Sequence, residues 1–274
     1  MDTARPIVTL TTDFGTSDGY VAAMKGTMLR INPYLHLVDV THKIAAFDVM
    51  EAAFVLRQAT PFYPEGTVHL AVIDPGVGSM RHGVALRHQG YYYVGPDNGM
   101  FALLLGSSKP ETMTILDDLG IYREVQPSRT FHGRDIFAPA AALLASGHPI
   151  DRLGSPADAL RPLHWALPID DDQGIRGWIV HVDHFGNCVT NIPQALLQQR
   201  VGQRKPKCYV GGEIVHGFSN TYSDVPKGES LLLLNSDGFL EIAINQGNAA
   251  ELLQVHRGMP VNIVFTDDAK SLEA

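Results

Sequence analysis

The sequence predicts an α/β fold in two parts: an alternating strand-helix domain over residues 1–168, and a smaller domain of short antiparallel strands over residues 174–266. Three observations predict it. Strand-like apolar runs alternate with helix-period runs as far as Ile73; a Pro-rich stretch of little periodicity lies between Gly147 and Gly174; and short strand-like runs punctuated by Gly211-Gly212 and Asp237-Gly238 follow it. At 274 residues, 45% hydrophobic and 18% charged, the chain is long enough for one large domain or two unequal ones.

Ile7 to Thr12 reads as the first strand. Tyr20, Val21, Met24, Met28 and Ile31 then recur at helical spacing until Asn32-Pro33 stops them. Leu35 to Val40 is the second strand, Asp48 caps a helix that runs through Thr60 to Pro61, and Val68 to Ile73 is a third strand bounded by Asp74-Pro75-Gly76. This is βαβαβ, a Rossmann-like order that implies parallel strands under helices. Val84 to His88 and Tyr91 to Val94, separated by Gln89-Gly90, form a hairpin; Gly95-Pro96-Asp97-Asn98-Gly99 then turns into a short helix at Met100 to Leu105, and a last helix spans Ile136 to Ser146.

The interdomain connection holds Pro149, Pro156, Pro162, Pro168 and the acidic run Asp170-Asp171-Asp172. Beyond it, Trp178 to Val182, Lys207 to Val210, Leu231 to Leu234, Phe239 to Ile244 and Val261 to Phe265 suggest a small antiparallel barrel or sandwich. There is no internal repeat.

Lys plus Arg at 21 against Asp plus Glu at 29 gives a net charge of -8 with no basic run, which disfavours nucleic acid and anionic membranes as partners. The start lacks the apolar run of a signal peptide, and no later segment approaches the roughly 18 apolar residues of a membrane span, so the expected location is cytoplasmic. Cys188 and Cys208, in no metal-like spacing, are expected as small core residues.

On this frame Asp13, Asp39, Asp74 and Asp97 gather at one rim of the sheet, the place where open α/β sheets collect ligands. Asp13 and Asp18 either face a ligand there or cap the helix that follows. The loop from Asp74 to Arg81 supplies a carboxylate and a guanidinium, and Phe131-His132-Gly133-Arg134-Asp135 adds an imidazole. An Asp, an Arg and a His converging on a cleft can orient and deprotonate a water; read singly, they are a surface ion pair, helix caps and a histidine in a turn. Gly76-Val77-Gly78 lacks the third glycine of a dinucleotide fingerprint and no Gly-Lys-Ser or Gly-Lys-Thr exists, so neither a Rossmann cofactor nor a P-loop is expected. A two-metal phosphoesterase needs bridging carboxylates and several imidazoles. No Asp-x-His pair follows the first strand, and His42, His69, His82 and His88 read as loop, strand or surface residues.

Five motifs occur in order: Thr11-Thr12-Asp13-Phe14-Gly15-Thr16-Ser17-Asp18, Asp74-Pro75-Gly76-Val77-Gly78-Ser79, Gly95-Pro96-Asp97-Asn98-Gly99, Phe131-His132-Gly133-Arg134-Asp135, and Asp183-His184-Phe185-Gly186-Asn187-Cys188-Val189-Thr190-Asn191. Together they resemble the S-adenosylmethionine hydroxide adenosyltransferases, relatives of the fluorinase and chlorinase. The resemblance covers Ile7 to Phe265. It implies an N-terminal α/β domain, a C-terminal β-barrel, a homotrimer with sites between neighbouring subunits, and hydrolysis of S-adenosylmethionine to adenosine and L-methionine without metal or cofactor. Carried over by motif, the catalytic residues are Asp74, Arg81 and His132, and the ribose carboxylate is Asp13. The methionine-end acids are Asp18 and Asp183, Asn187 reads adenine, and Ser236 is a further methionine contact. Asp237 stands where the fluorinase has a basic residue and Val77 where it has a halide-contacting hydroxyl, which argues against halide chemistry.

Elementary chemistry is consistent with these roles. A sulfonium departs as neutral methionine without an acid, so the enzyme's task is to align a water in line with the C–S bond. An Asp suits a vicinal diol, and an Asn presents the donor and acceptor that an adenine edge requires. Phe185 is expected either to stack on the base or to lie in the core; Glu241 either meets the methionine ammonium or points outward to solvent. The other readings are halogenation, a metal-dependent phosphoesterase, and a non-catalytic adenosine or S-adenosylmethionine binding protein, which would keep Asp13 and Asn187 without needing the other three together.

Overall fold

The computed structural model describes residues 5–118, 120, 127–164, 166–201 and 205–266. The chain divides into two compact units, 1–164 and 165–274. In the first, β1 (Ile7–Thr12), β2 (His36–Thr41), β3 (Val68–Val72), β4 (Gly83–His88), β5 (Tyr91–Pro96), β6 (Thr112–Ile115) and β7 (Ser155–Pro156) form one sheet in the order β2-β1-β3-β5-β4-β6-β7. β2, β1, β3 and β5 are parallel, as the βαβαβ reading requires, and the hairpin places β5 rather than β4 beside β3. β6 and β7 extend the antiparallel edge beyond β4; β7 lies within the stretch read as connection.

Valines, leucines and threonines fill β1 so that Val8 to Thr12 are all buried, which needs cover on both faces. Val8, Leu10, Leu70 and Val72 pack with Met24 and Met28 of α1 (Tyr20–Ile31) and with Ala140, Ala141 and Leu144 of α4 (Ala138–Ala145). α2 (Val49–Ala59) packs on β1 and on α3 (Met100–Leu105). Asp48 caps α2 as expected, its side chain accepting from the Glu51 amide. The helix read as Ile136 to Ser146 is a π-turn over Gly133–Phe137 that continues into α4, so its first turn is wider than the apolar period implied.

The second unit is an antiparallel sheet in the order β12-β11-β15-β9-β10-β14-β13, with β8 paired to β9. Its strands are β8 (Ile169–Asp171), β9 (Gly174–Val182), β10 (Cys188–Pro193), β11 (Lys205–Val210), β12 (Glu213–His216), β13 (Ser230–Leu234), β14 (Phe239–Ile244) and β15 (Pro260–Thr266). The outermost strands, β12 and β13, also approach each other, so the sheet is a nearly closed barrel rather than a sandwich. Ile175, Ile179, Ile192, Leu232, Ile242 and Ile263 fill it together with the free thiols of Cys188 and Cys208, both pushed up to about 12 by burial. Short helices α5 (Gln194–Val201) and α6 (Ala249–Leu252) close its connections. The acidic run is not loose connection throughout: it forms β8, and Asp170 lies 3.1 Å from Arg200. Among the described residues no helix is long and apolar enough to cross a membrane.

Candidate active site

Parallel pairing of β1 and β3 brings Asp13 and Asp74, each just beyond its strand, to one rim. Asp74 opens a tight turn in which its carbonyl accepts from the Val77 amide, and Gly78 follows with φ +77° and no room for a Cβ, which would lie 2.5 Å from the Arg129 carbonyl. That turn brings Arg81 back onto Asp74. Arg81 Nε donates to Asp74 Oδ1 at 2.8 Å and Nη2 donates to Oδ2, a bidentate fork between side chains only 5% and 6% exposed. The guanidinium also lies over the ring of buried Phe137, 5.2 Å from its centroid.

Arg81 Nη2 makes a third hydrogen bond, 2.8 Å to His132 Nδ1. A guanidinium only donates, so Nδ1 accepts and a neutral His132 carries its proton on Nε2. Burial first, and then the Arg81 charge, hold the His132 pKa below its ordinary value, against the pull of Asp74 and Asp135. The loop bearing His132 is anchored by Asp135, fully buried, whose carboxylate accepts from the Ser128 amide and from Arg134. Asp135 is therefore a loop anchor rather than a helix cap.

Asp13, Asp74 and His132 line a cavity of about 320 Å³ in this unit, with Val72, Val77, Phe47 and the contacting rings of Phe14, Tyr20 and Phe131. Asp13 Oδ2 accepts from the Phe47 amide at 2.9 Å. Neither Asp13 nor Asp18 caps α1, whose N-cap is Gly19 with no side-chain hydrogen bond. Asp18 is exposed and does not line the cavity; Asp97 does not line it either, and its carboxylate accepts from the Arg161 amide.

The second unit has its own cavity of about 540 Å³, lined by Asp183, Phe185, Asn187, Tyr222, Gln246 and Asn248, among others. Asp183 builds the turn: Oδ1 accepts from the Phe185 and Asn187 amides, and Oδ2 from Asn187 Nδ2. That leaves the Asn187 side chain one N–H and its carbonyl oxygen for a ligand. Phe185 is 73% exposed, which decides against a core role. Glu241 is only 4% exposed, which decides against an outward strand position; it accepts from the Tyr222 hydroxyl at 2.7 Å. Burial raises the Glu241 pKa, the Tyr222 hydrogen bond opposes this, and the nearby charges of Asp183 and Asp237 reinforce it. Ser236 is exposed in the β13–β14 turn that Asn235 ties together.

The motif residues thus fall into two sets, one in each unit. The Phe47 amide and Tyr222 carry no sequence signal as site-builders, because each acts from a separate loop; Asp135 ends the fourth motif, but its anchoring bonds to Ser128 and Arg134 exist only in the folded chain. Among the described residues no group of three or more His, Cys, Asp or Glu side chains is arranged to hold a metal ion.

Residues 8–154 match the family model of the SAM hydroxide adenosyltransferase N-terminal domain, and residues 177–262 match that of its C-terminal domain. The chain belongs to the SAM hydroxide adenosyltransferase family. Within it, the chain is similar to the (R)-S-adenosyl-L-methionine hydrolase of Thermus thermophilus, 39% identical over 268 residues that cover 95% of this chain and 100% of that one. A fluorinase of an Actinoplanes species is more distant, 28% identical over 94% of this chain and 97% of its own. A crystal structure of an uncharacterized conserved protein from Thermotoga maritima superposes with a TM-score of 0.87 at 35% identity, covering 94% of this chain and 99% of that one.

Proposed function

We propose that this hydroxide adenosyltransferase hydrolyses S-adenosyl-L-methionine to adenosine and L-methionine by attack of water on the ribose 5′ carbon. The observation that carries the reading is the hydrogen-bonded run Asp74–Arg81–His132 on the wall of a cavity that also holds Asp13. The oxygen of water bonds to C5′ as the C5′–S bond breaks; the bonding pair stays on sulfur, and methionine leaves as a neutral thioether. Arg81 uses one lone pair on each Asp74 oxygen, leaving others to accept the water's proton. His132 has Nδ1 occupied, so its Nε2–H donates, orienting the water or the ribose oxygens. Asp13 accepts from the ribose hydroxyls, Asn187 and Phe185 take the adenine, and Asp18, Asp183, Ser236 and Glu241 serve the methionine end.

The reaction so written needs no metal or cofactor. Val77 lines the cavity; by the motif resemblance it stands where the fluorinase has a halide-contacting hydroxyl, and it offers none. In the same reading the protein is a cytoplasmic homotrimer that completes each site between neighbouring subunits, and it acts on a small molecule rather than on nucleic acid or membrane. Chromatography of the protein incubated with S-adenosylmethionine, with and without chelator and with excess chloride or fluoride, tests this. Adenosine and methionine are expected under every condition. A 5′-halo-adenosine as main product, or activity abolished by chelator and restored by a divalent cation, overturns the reading; sedimentation reports the oligomer.

A further inference from the structure

Four groups of the turn Thr12-Asp13-Phe14-Gly15 are anchored, and His42, read from sequence as an ordinary loop residue, makes two of the anchors. Its Nδ1 lies 2.8 Å from Thr12 Oγ1, and its carbonyl accepts from the Gly15 amide at 2.7 Å. The Thr12 hydroxyl accepts in turn from the Phe14 amide at 3.3 Å, and Asp13 Oδ2 is held by the Phe47 amide. His42 Nε2 lies 2.9 Å from Asp39 Oδ1, and Asp39 Oδ2 accepts from Lys25 at 2.6 Å. A carboxylate beside an ammonium accepts only, so the His42 proton sits on Nε2. Nδ1 must then accept the single Thr12 proton, which leaves the hydroxyl lone pairs for Phe14. The hydrogen bonds from Phe14 to Thr12 and from Thr12 to His42 therefore each have one direction, while His42 Nε2 faces Asp39 as a close polar contact without hydrogen-bond geometry. Burial works against the Asp39 charge, but Lys25 and His42 together outweigh it and hold its pKa below the usual value.

We propose that His42 is a positioning residue for nucleoside binding: through Thr12 and Gly15 it locks the turn carrying Asp13, so that the carboxylate meets the ribose diol already oriented. His42 is buried and stands outside the cavity lining, so it acts through the turn and touches no ligand there. The inference rests on the proposed diol contact of Asp13. Pre-orientation of this kind is felt in binding, because the contact exists before and during displacement.

The test uses the full chain, calorimetry with adenosine and kinetics with S-adenosylmethionine. Thr12→Val keeps the shape and removes the hydroxyl; His42→Gln keeps a donor for Asp39 and loses the acceptor for Thr12; His42→Asn keeps an acceptor near the place of Nδ1. Thr12→Val and His42→Gln are each expected to raise the adenosine Kd and KM about ten-fold with kcat changed less than about two-fold. Their combination should be no worse than Thr12→Val alone, since both remove the Thr12–His42 hydrogen bond and Thr12→Val also removes the Phe14 bond, and His42→Asn should recover most of the affinity. Wild-type affinity in Thr12→Val, alongside an Asp13→Ala variant that has lost affinity, overturns the positioning role alone. Wild-type affinity in Asp13→Ala overturns the diol contact beneath it. Multiplicative losses in the double variant mean that Thr12 and His42 act separately and also overturn the proposal. Thr12→Val, nearly isosteric, decides the matter if His42→Gln fails to fold.

Discussion

Arg81 spends its donors on both other members of the proposed catalytic set, so the three side chains have one arrangement rather than three independent ones. Asp74→Ala, Arg81→Ala and His132→Ala are each expected to lower kcat by about two orders of magnitude or more, the scale of acid–base assistance, while adenosine binding largely persists. The Asp74→Ala/His132→Ala double variant should be little worse than the poorer single one, because groups sharing a task lose it together. Arg81→Lys should be impaired as well, since a point charge cannot span two carboxylate oxygens and an imidazole nitrogen. Steady-state kinetics with circular dichroism to verify folding check this, and independent multiplicative losses would move the water elsewhere. The same geometry sets a pH dependence. His132 acts as the neutral imidazole with a pKa lowered from 6.5, so kcat/KM should hold as pH falls through 6.5 and decline only in more acid solution. A decline centred at 6.5 or above would mean that His132 does not titrate in the site as drawn.

Among the elements, the turn between β9 and β10 shows how closely the second cavity is built. Gly186 has φ +86°, and a Cβ there would lie 1.9 Å from Asn248 Oδ1, the N-cap of α6. Gly186→Ala should therefore cost about 1–3 kcal/mol through left-handed strain and lower Tm by several degrees. Displacing Asn248 also disturbs the wall beside Asn187, so adenosine affinity should fall in the same variant; calorimetry and thermal melts read both. Gly106→Ala, at the C-cap of α3 where φ is +60° and neither cavity is lined, should carry a similar strain of about 1–3 kcal/mol and leave adenosine affinity alone. The contrast between the two variants separates a site-building turn from a purely structural one. β10 itself carries the end of the fifth motif and is not among the strands read from the sequence. In the structure Thr190 and Asn191 are buried and bonded, Thr190 Oγ1 to the Leu240 carbonyl and Asn191 Oδ1 to the Trp178 amide.

At the scale of the whole molecule, acid stability has an identifiable contributor in His69. It lies fully buried on β3, bonded through Nδ1 to Thr9 and surrounded by Tyr63, Tyr91 and Tyr93, and burial lowers its pKa from 6.5 to about 3. Because the folded pKa lies below the unfolded one, the unfolded chain takes up the proton first as pH drops. The contribution is complete above pH 6.5 and is lost progressively between 6.5 and about 3. Over that range the stability difference between the protein and a His69→Asn variant should shrink by about 1.4 kcal/mol per pH unit. Urea unfolding at a series of pH values measures it, and a difference independent of pH would mean that His69 is protonated in the fold.

β1, α1, α2, the hairpin and the two-part organisation were legible in the sequence because each is set by local chemistry: apolar period, a capping Asp, a stop at Asn-Pro, a turn at Gln89-Gly90. Asp74 and Arg81 were legible as residue types in the loop after a strand and His132 as one just before a helix, and the five ordered motifs made the family legible. What the tertiary structure alone decided is pairing. It put β5 beside β3, curled the second sheet toward closure, and joined Arg81 to a histidine 51 positions away. It also placed Phe185 in the open, Glu241 under Tyr222, and His42 behind Asp13. Strand order, burial and hydrogen-bond direction depend on partners distant in the chain, and a local pattern holds no record of which partner the closed core will supply.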